Sequence, residues 1–294
     1  MTATMFRIGG DLSVRRLGFG AMRLPTEPGP EREASLGVAR RAVELGVTLI
    51  DTAHLYGGGA NEELLAEALY PYADGLLVTT KVGVARSAET GEWGLDGRPD
   101  VLRDQVENAL RRLRVERLEL LQLHRIDPEV PLADQLGALR ELQIAGKVGR
   151  LGLSEITVAE LDQAREIIDV VSVQNRYSLV DREHEPVLVA CEAAGIAFLP
   201  WRPVAGAASG ATAESEAIAG VADELGATPA QISLAWLLDR SPVILPIPGT
   251  SRIDHLEENV AAADLRLTPA HHERLGGLGG LGDPGPLDRP AAQA

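Results

Sequence analysis

The chain has 294 residues, a formal net charge of −15 and 45% apolar residues, which exclude a staple-dependent mini-domain and wholesale disorder. The acidic balance argues against nucleic acid or an anionic membrane as partner. The single cysteine, Cys191, fits a reducing compartment, and neither a signal-type start nor an apolar run of membrane-spanning length is present. A cytoplasmic protein is therefore expected. Only two of the 28 basic residues are lysines, Lys81 and Lys147.

Eight short apolar runs recur along the chain, at 17–20, 47–51, 76–82, 118–124, 148–154, 170–175, 196–201 and 243–248. Continuous rather than alternating apolarity suits strands buried on both faces, as in a parallel sheet. Between the runs, apolar residues recur at helical spacing. The segment 99–113 reads as a helix with Asp100 placed to bond its first amides. The segment 157–168 starts on a Thr157/Glu160 capping box, and 228–241 on Thr228 with Pro229 at the first helical position. Gly46, Gly146 and Gly195 read as helix stops.

Eight strand–helix units in this length predict an α/β fold, a (β/α)8 TIM barrel over residues 1–275, rather than an open doubly wound sheet. The partial GFG of 18–20 is too short for a dinucleotide fingerprint. Residues 87–99 read as a Gly-rich binding loop, and 276–294 as a mobile Gly/Pro-rich tail.

In such a barrel, chemistry sits at the carboxyl ends of the strands. Polar residues close the apolar runs there: Asp51, Lys81, His124, Ser154, Gln174 and Asn175, with Tyr56 five residues after Asp51. Buried charges need partners, so Asp51 and Lys81 are expected to pair. An ammonium beside a phenol favours phenolate, so Tyr56 is expected to have a lowered pKa and to serve as acid–base, with His124 orienting a carbonyl oxygen.

The pieces LGFGAM, IDTAHLYGGGANEELLAEAL, TTKVG, LELLQLHR, GRLGLSE, VQNRYS and IPGTSRIDHLEEN together resemble the aldo-keto reductase superfamily over nearly the whole chain. The resemblance implies a barrel that reduces aldehydes and ketones with a nicotinamide cofactor, its catalytic tetrad falling on Asp51, Tyr56, Lys81 and His124. It implies cofactor contacts from Gly20, Ala21 and Met22, and from Ser154 and Gln174 at the nicotinamide amide. Trp201 falls where an aromatic stacks on the nicotinamide ring, followed by Arg202 and Val204. Gly249, Thr250, Ser251, Arg252, His255, Glu258 and Asn259 match the adenosine end. Arg252 suits a 2′-phosphate, so NADPH (NADP+) is the expected cofactor.

Many relatives have asparagine where this chain has Glu155. Ionised glutamate only accepts hydrogen bonds, so Glu155 is expected to take the carboxamide N–H and to favour NADP+ electrostatically. Trp93 and Arg125 are the expected substrate-pocket walls. His54 either lines the pocket or bonds locally, and Tyr177 is a further candidate near the cofactor. Tyr70 and Tyr72 read as helix-end packing and Cys191 as packing. His271–His272 lacks metal-ligand spacing, so no metal is expected.

The expected reaction is carbonyl reduction. The features of ALYPYAD, TTKVG and VQNRYSLVDR most resemble bacterial pyridoxal reductase-like members, which implies pyridoxal or another small aromatic aldehyde as substrate. The alternatives are a ketosugar or pathway-specific ketone, and an NADPH-binding regulatory subunit with little turnover. Oligomeric state is open at this stage.

Overall fold

Strands buried on both faces pack only when helices cover the outside and side chains fill the inside, and this chain meets both demands by alternation. The computed structural model describes residues 4–86, 91–204 and 212–278. The strands are β1 (Met5–Ile8), β2 (Leu12–Arg15), β3 (Phe19–Gly20), β4 (Leu49–Asp51), β5 (Leu77–Val82), β6 (Val84–Arg86), β7 (Trp93–Leu95), β8 (Leu118–Leu123), β9 (Val148–Ser154), β10 (Val170–Gln174) and β11 (Ala197–Phe198). The helices are α1 (Pro30–Glu44), α2 (Ala60–Leu69), α3 (Pro99–Leu113), α4 (Leu132–Ile144), α5 (Val158–Arg165), α6 (Glu185–Ala194), α7 (Ala213–Leu225), α8 (Pro229–Arg240), α9 (Ile253–Ala261) and α10 (Pro269–Gly276).

Seven parallel strands form one sheet in the order β3-β4-β5-β8-β9-β10-β11. The eighth apolar run, 243–248, makes no regular strand, because Pro246 and Pro248 carry no N–H for a ladder. It closes the ring all the same. Phe198 N donates to Val243 O and Leu245 N to Phe198 O on one side, and Gly18 N donates to Pro246 O and Gly20 N to Pro248 O on the other, all within 3.1 Å. The prolines are used as acceptors only. The fold is a (β/α)8 barrel.

The sequence reading missed an antiparallel hairpin, β1–β2, with a Gly9–Gly10 turn in which both φ values are positive. Its Ile8 and Val14 cluster with Leu49, Leu77, Leu120, Ala197 and Leu245, and so plug the amino-terminal end of the barrel. The expected 87–99 loop also differs: Trp93–Leu95 pairs antiparallel with Val84–Arg86, while 87–90 lie outside the described residues. Of the expected tail, 279–294 likewise lie outside them.

Local helix signals fare well. Thr157 and Thr228 both cap through reciprocal boxes, with Glu160 and Gln231, and Gly46, Gly146 and Gly195 all have positive φ. Asp100 does not cap: Arg98 holds that position without a side-chain bond, and Asp100 sits in the first turn of α3, where its charge still favours the helix dipole.

The Thr157 box predicts that Thr157→Ala lowers unfolding free energy by about 1 kcal/mol, while Thr157→Ser retains most of it. Urea unfolding midpoints of the two variants check this.

Candidate active site

The carboxyl ends of β4, β5, β8 and β10 converge on one buried ammonium. Lys81, fully buried near the end of β5, donates from Nζ to Asp51 Oδ2 at 2.7 Å, to the Thr52 carbonyl at 2.9 Å and to the Tyr56 hydroxyl at 3.4 Å. The other Asp51 oxygen accepts from Gln174 Nε2 at 2.9 Å and from Gln122 Nε2 at 3.4 Å. The His124 ring meets the Tyr56 ring edge to face, with centroids 6.1 Å apart.

Burial alone would lower the Lys81 ammonium, but the charges of Asp51 and Tyr56 outweigh it and the net direction is upward. Tyr56 departs from expectation. Burial pushes its phenol above the ordinary value, Lys81 pulls the other way, and burial prevails with help from Asp51. The phenol is thus protonated at neutral pH. His124 is pushed down to about 2 by burial, then by the Lys81 and Arg125 charges, so its imidazole is neutral. Its Nδ1 is buried without a hydrogen-bond partner among the described residues.

Tyr56 opens a turn, Tyr56–Gly59, in which three consecutive glycines take positive φ. Gly59 shows why no other residue serves. Its φ is +98°, and a Cβ there would stand 2.3 Å from the Arg112 guanidinium carbon. Arg112 reaches in from α3, donates to the wholly buried Glu62 at 2.9 Å and contacts His54 Nδ1 at 3.3 Å. Glu62 also accepts from Thr80 Oγ1 at 2.6 Å, two positions along from the strand's Val82 end. Because arginine only donates, His54 Nδ1 must accept, which leaves the proton on Nε2. The His54 ring in turn abuts Trp93, centroids 6.1 Å apart. Trp93 stands beside Gly58, where an added Cβ would lie 3.8 Å from the indole.

On the opposite side, Arg125 donates from one nitrogen to Ser154 Oγ at 3.0 Å and to the His124 carbonyl at 2.6 Å. Ser154 therefore accepts from arginine and keeps its own hydroxyl proton to give elsewhere. One amide hydrogen of Gln174 is committed to Asp51, which leaves its oxygen and its second N–H to serve another amide. Glu155 stands at φ +54°. Its Oε1 accepts from the Arg176 amide at 2.6 Å and from the indole N–H of the half-buried Trp201, and its Oε2 faces His184 Nε2 at 3.8 Å.

The remaining expected residues lie where the first strand meets the last segment. Gly20 and Gly249 face each other closely, a Gly249 Cβ coming 2.8 Å from Gly20 O, with Ala21 and the exposed Met22 in the following turn. Thr250, Ser251 and Arg252 lead into α9, Thr250 Oγ1 accepting from Arg252 N at 3.1 Å. Arg252 and His255 are exposed, Asn259 is buried, and Glu258 offers its carbonyl to Gln231. Arg252 pairs with Asp254 at the surface, so its guanidinium is reachable by a phosphate. Arg202 is exposed, and Val204 packs against Leu17, Leu234 and Ala262.

Tyr177 turns away from the site. It is buried, stacks on Trp236 and donates to Glu185. Cys191 is buried in α6, its thiol pushed up to about 12. His271 caps α10 and faces Glu224, and His272 faces Asp239. Gln122, Glu62 and Arg112 were not foreseen. Gln122 is legible in the sequence, because it lies near the end of β8, two residues before His124, which directly follows the strand.

Two predictions follow from this support. Gly59→Ala should displace Arg112 and strip the buried Glu62 of its partner, lowering the melting temperature by at least about 3 °C. Scanning calorimetry checks it. Second, burial, then the Arg112 charge, holds His54 at about 4 against 6.5 unfolded, so below pH 6.5 the unfolded chain binds more protons. Stability present above about pH 6.5 should fall as pH drops toward about 4, and His54→Gln should make that slope shallower in denaturant titrations.

Comparisons with known proteins identify the family. The Aldo/keto reductase family model matches residues 16–278. An uncharacterized oxidoreductase of Schizosaccharomyces pombe is 47% identical over 88% of this chain and 85% of its own. Pyridoxine 4-dehydrogenase of Escherichia coli is 38% identical over 95% of this chain and 99% of its own. Among solved structures, an aldo/keto reductase of Klebsiella pneumoniae in complex with NADP and acetate is 26% identical, with a TM-score of 0.81 over 92% of this chain and 94% of that one. The chain, with its Asp–Lys–Tyr cluster at the carboxyl end of seven parallel strands closed into a ring by the 243–248 segment, belongs to the Aldo/keto reductase family.

Proposed function

We propose that this reductase uses NADPH to reduce a small aromatic aldehyde of the pyridoxal type, with Asp51, Tyr56, Lys81 and His124 as its catalytic residues. The observation that carries the reading is the Lys81 ammonium bound at once to Asp51 and to the Tyr56 hydroxyl. The likeness to pyridoxine 4-dehydrogenase supports the choice of substrate class.

The donor set fits the cofactor. The Ser154 hydroxyl proton and the Gln174 oxygen are complementary to a carboxamide, Trp201 is held at the rim by Glu155, and Arg252 at the start of α9 is reachable by a 2′-phosphate. Gly20, Ala21, Met22, Gly249, Thr250, Ser251, His255, Glu258 and Asn259 would complete the groove, with Arg202 and Val204 beyond Trp201. When bound, NADPH supplies the hydride that reaches the carbonyl carbon.

The protein's part is the proton. Tyr56, kept protonated by burial, gives its hydroxyl proton to the carbonyl oxygen as negative charge develops there. Lys81 stabilises the phenolate left behind, and Asp51 keeps Lys81 charged and in place. Neutral His124 hydrogen-bonds the oxygen without competing for its proton.

Tyr56→Phe should lower kcat for NADPH oxidation with pyridoxal or 4-nitrobenzaldehyde by about 10²-fold or more while leaving NADPH affinity within about threefold. A variant as active as the parent would overturn the assignment. Glu155→Gln keeps an acceptor for the Trp201 indole but removes the charge, so it should tighten NADPH relative to NADP+. Fluorescence titration of the two cofactor forms measures that ratio.

A further inference from the structure

Three cations stand in or beside this site, and two have carboxylate partners. Lys81 pairs with Asp51, and Arg112 with Glu62. Arg125 has none: among the described residues it makes no ion pair, and its hydrogen bonds go to two neutral acceptors, the Ser154 hydroxyl and the His124 carbonyl. Both bonds use the same nitrogen, which leaves the rest of a half-buried guanidinium fork without an acceptor among the described residues.

Glu155 feels the Arg125 charge but forms no ion pair with it: its Oε1 accepts from both the Arg176 amide and the Trp201 indole, and its Oε2 faces His184 Nε2 at 3.8 Å. Burial lowers the Arg125 guanidinium, the signature of a cation whose lost hydration is not repaid by a close anion. Arg125 follows His124 directly, and its charge acts on both the His124 imidazole and the Tyr56 phenol. It therefore stands where the substrate's carbonyl neighbourhood must lie, not at the α9 end where cofactor phosphates are expected.

We propose that Arg125 pairs with an anionic group borne by the substrate close to its carbonyl, a carboxylate or an ionised ring hydroxyl, so that the enzyme selects anionic over neutral aldehydes and ketones. This rests on the reductase reading above and deepens it. A planar fork of donors suits a two-oxygen carboxylate, or a phenolate oxygen beside the carbonyl oxygen. Pyridoxal carries that second pattern, its acidic ring hydroxyl being adjacent to the aldehyde. In a chain of net charge −15, a substrate carrying a carboxylate is repelled at long range and needs a local cation to be held.

The test compares matched substrates on the whole enzyme with NADPH: 3-carboxybenzaldehyde against its methyl ester, and pyridoxal against its 3-O-methyl ether. The parent should show a kcat/KM ratio of anionic to neutral of about tenfold or more in at least one pair, carried mainly in KM and eroded by added salt. Which pair leads distinguishes carboxylate from phenolate. Arg125→Leu should bring that ratio close to unity, and Arg125→Lys should keep part of it. Because each ratio is internal to one variant, a change in cofactor affinity or folded fraction cancels. A parent that reduces the neutral partners with no anionic preference, or an Arg125→Leu enzyme with the parent's ratio, overturns the proposal and leaves the reductase reading standing. A parent that reduces none of the four, nor 4-nitrobenzaldehyde, overturns both.

Discussion

An ammonium shut away from water must find acceptors for its protons, and the site is built around meeting that demand for Lys81. The side chain is fully buried and is reached by acceptors from β4, from the residue that follows it, and from the Tyr56 turn. The demand propagates outward. Asp51 can balance the charge only if its own second oxygen is held, which Gln174 from β10 and Gln122 from β8 do. Four strand ends are therefore tied to one charge, and the parallel barrel is the arrangement that aims all four ends at the same point. Breaking any one of these bonds leaves a buried polar group unpaired, which costs more than the bond contributes when intact.

The same logic gives the Tyr56 turn its unusual backbone. Three glycines in positive φ let the chain reverse tightly between β4 and α2, and the space saved at Gly59 is filled by Arg112. Arg112 is itself fixed by Glu62, which Thr80 fixes from the strand that carries Lys81. Two adjacent residues of β5 thus hold opposite sides of the candidate site. Thr80 faces outward to the Glu62–Arg112 pair, and Lys81 inward to Asp51 and Tyr56. Alternation along a strand accounts for both directions.

What could be read from the sequence follows the range of the interaction. The tetrad, the capping boxes and seven of the eight runs are local signals: a polar residue closing an apolar run, or a threonine three residues ahead of its partner. The eighth run was recognised as apolar, but the way its prolines turn it into a string of acceptors appears only when Gly18 and Gly20 stand opposite. Glu155 stands beside Ser154 in the sequence, but the residue whose indole it holds, Trp201, lies 46 residues away and is invisible to local pattern. The Tyr56 pKa was misjudged for a related reason. The neighbouring lysine was visible in the sequence, whereas the depth of burial that outweighs it was not.

The scarcity of lysine sharpens the point about Lys81. Arginine occupies 26 of the 28 basic positions, so composition alone would favour it here too. The site disfavours it on geometry. An ammonium carries three protons, and the cavity offers three acceptors, Asp51 Oδ2, the Thr52 carbonyl and the Tyr56 hydroxyl, at 2.7, 2.9 and 3.4 Å. A guanidinium would bring five donors in a rigid plane and leave at least two of them buried without partners, at a cost of about 1–3 kcal/mol each. Arg125 marks the contrary case. At the open edge of the same site the surplus donors of a guanidinium are an asset, because what they meet arrives from outside.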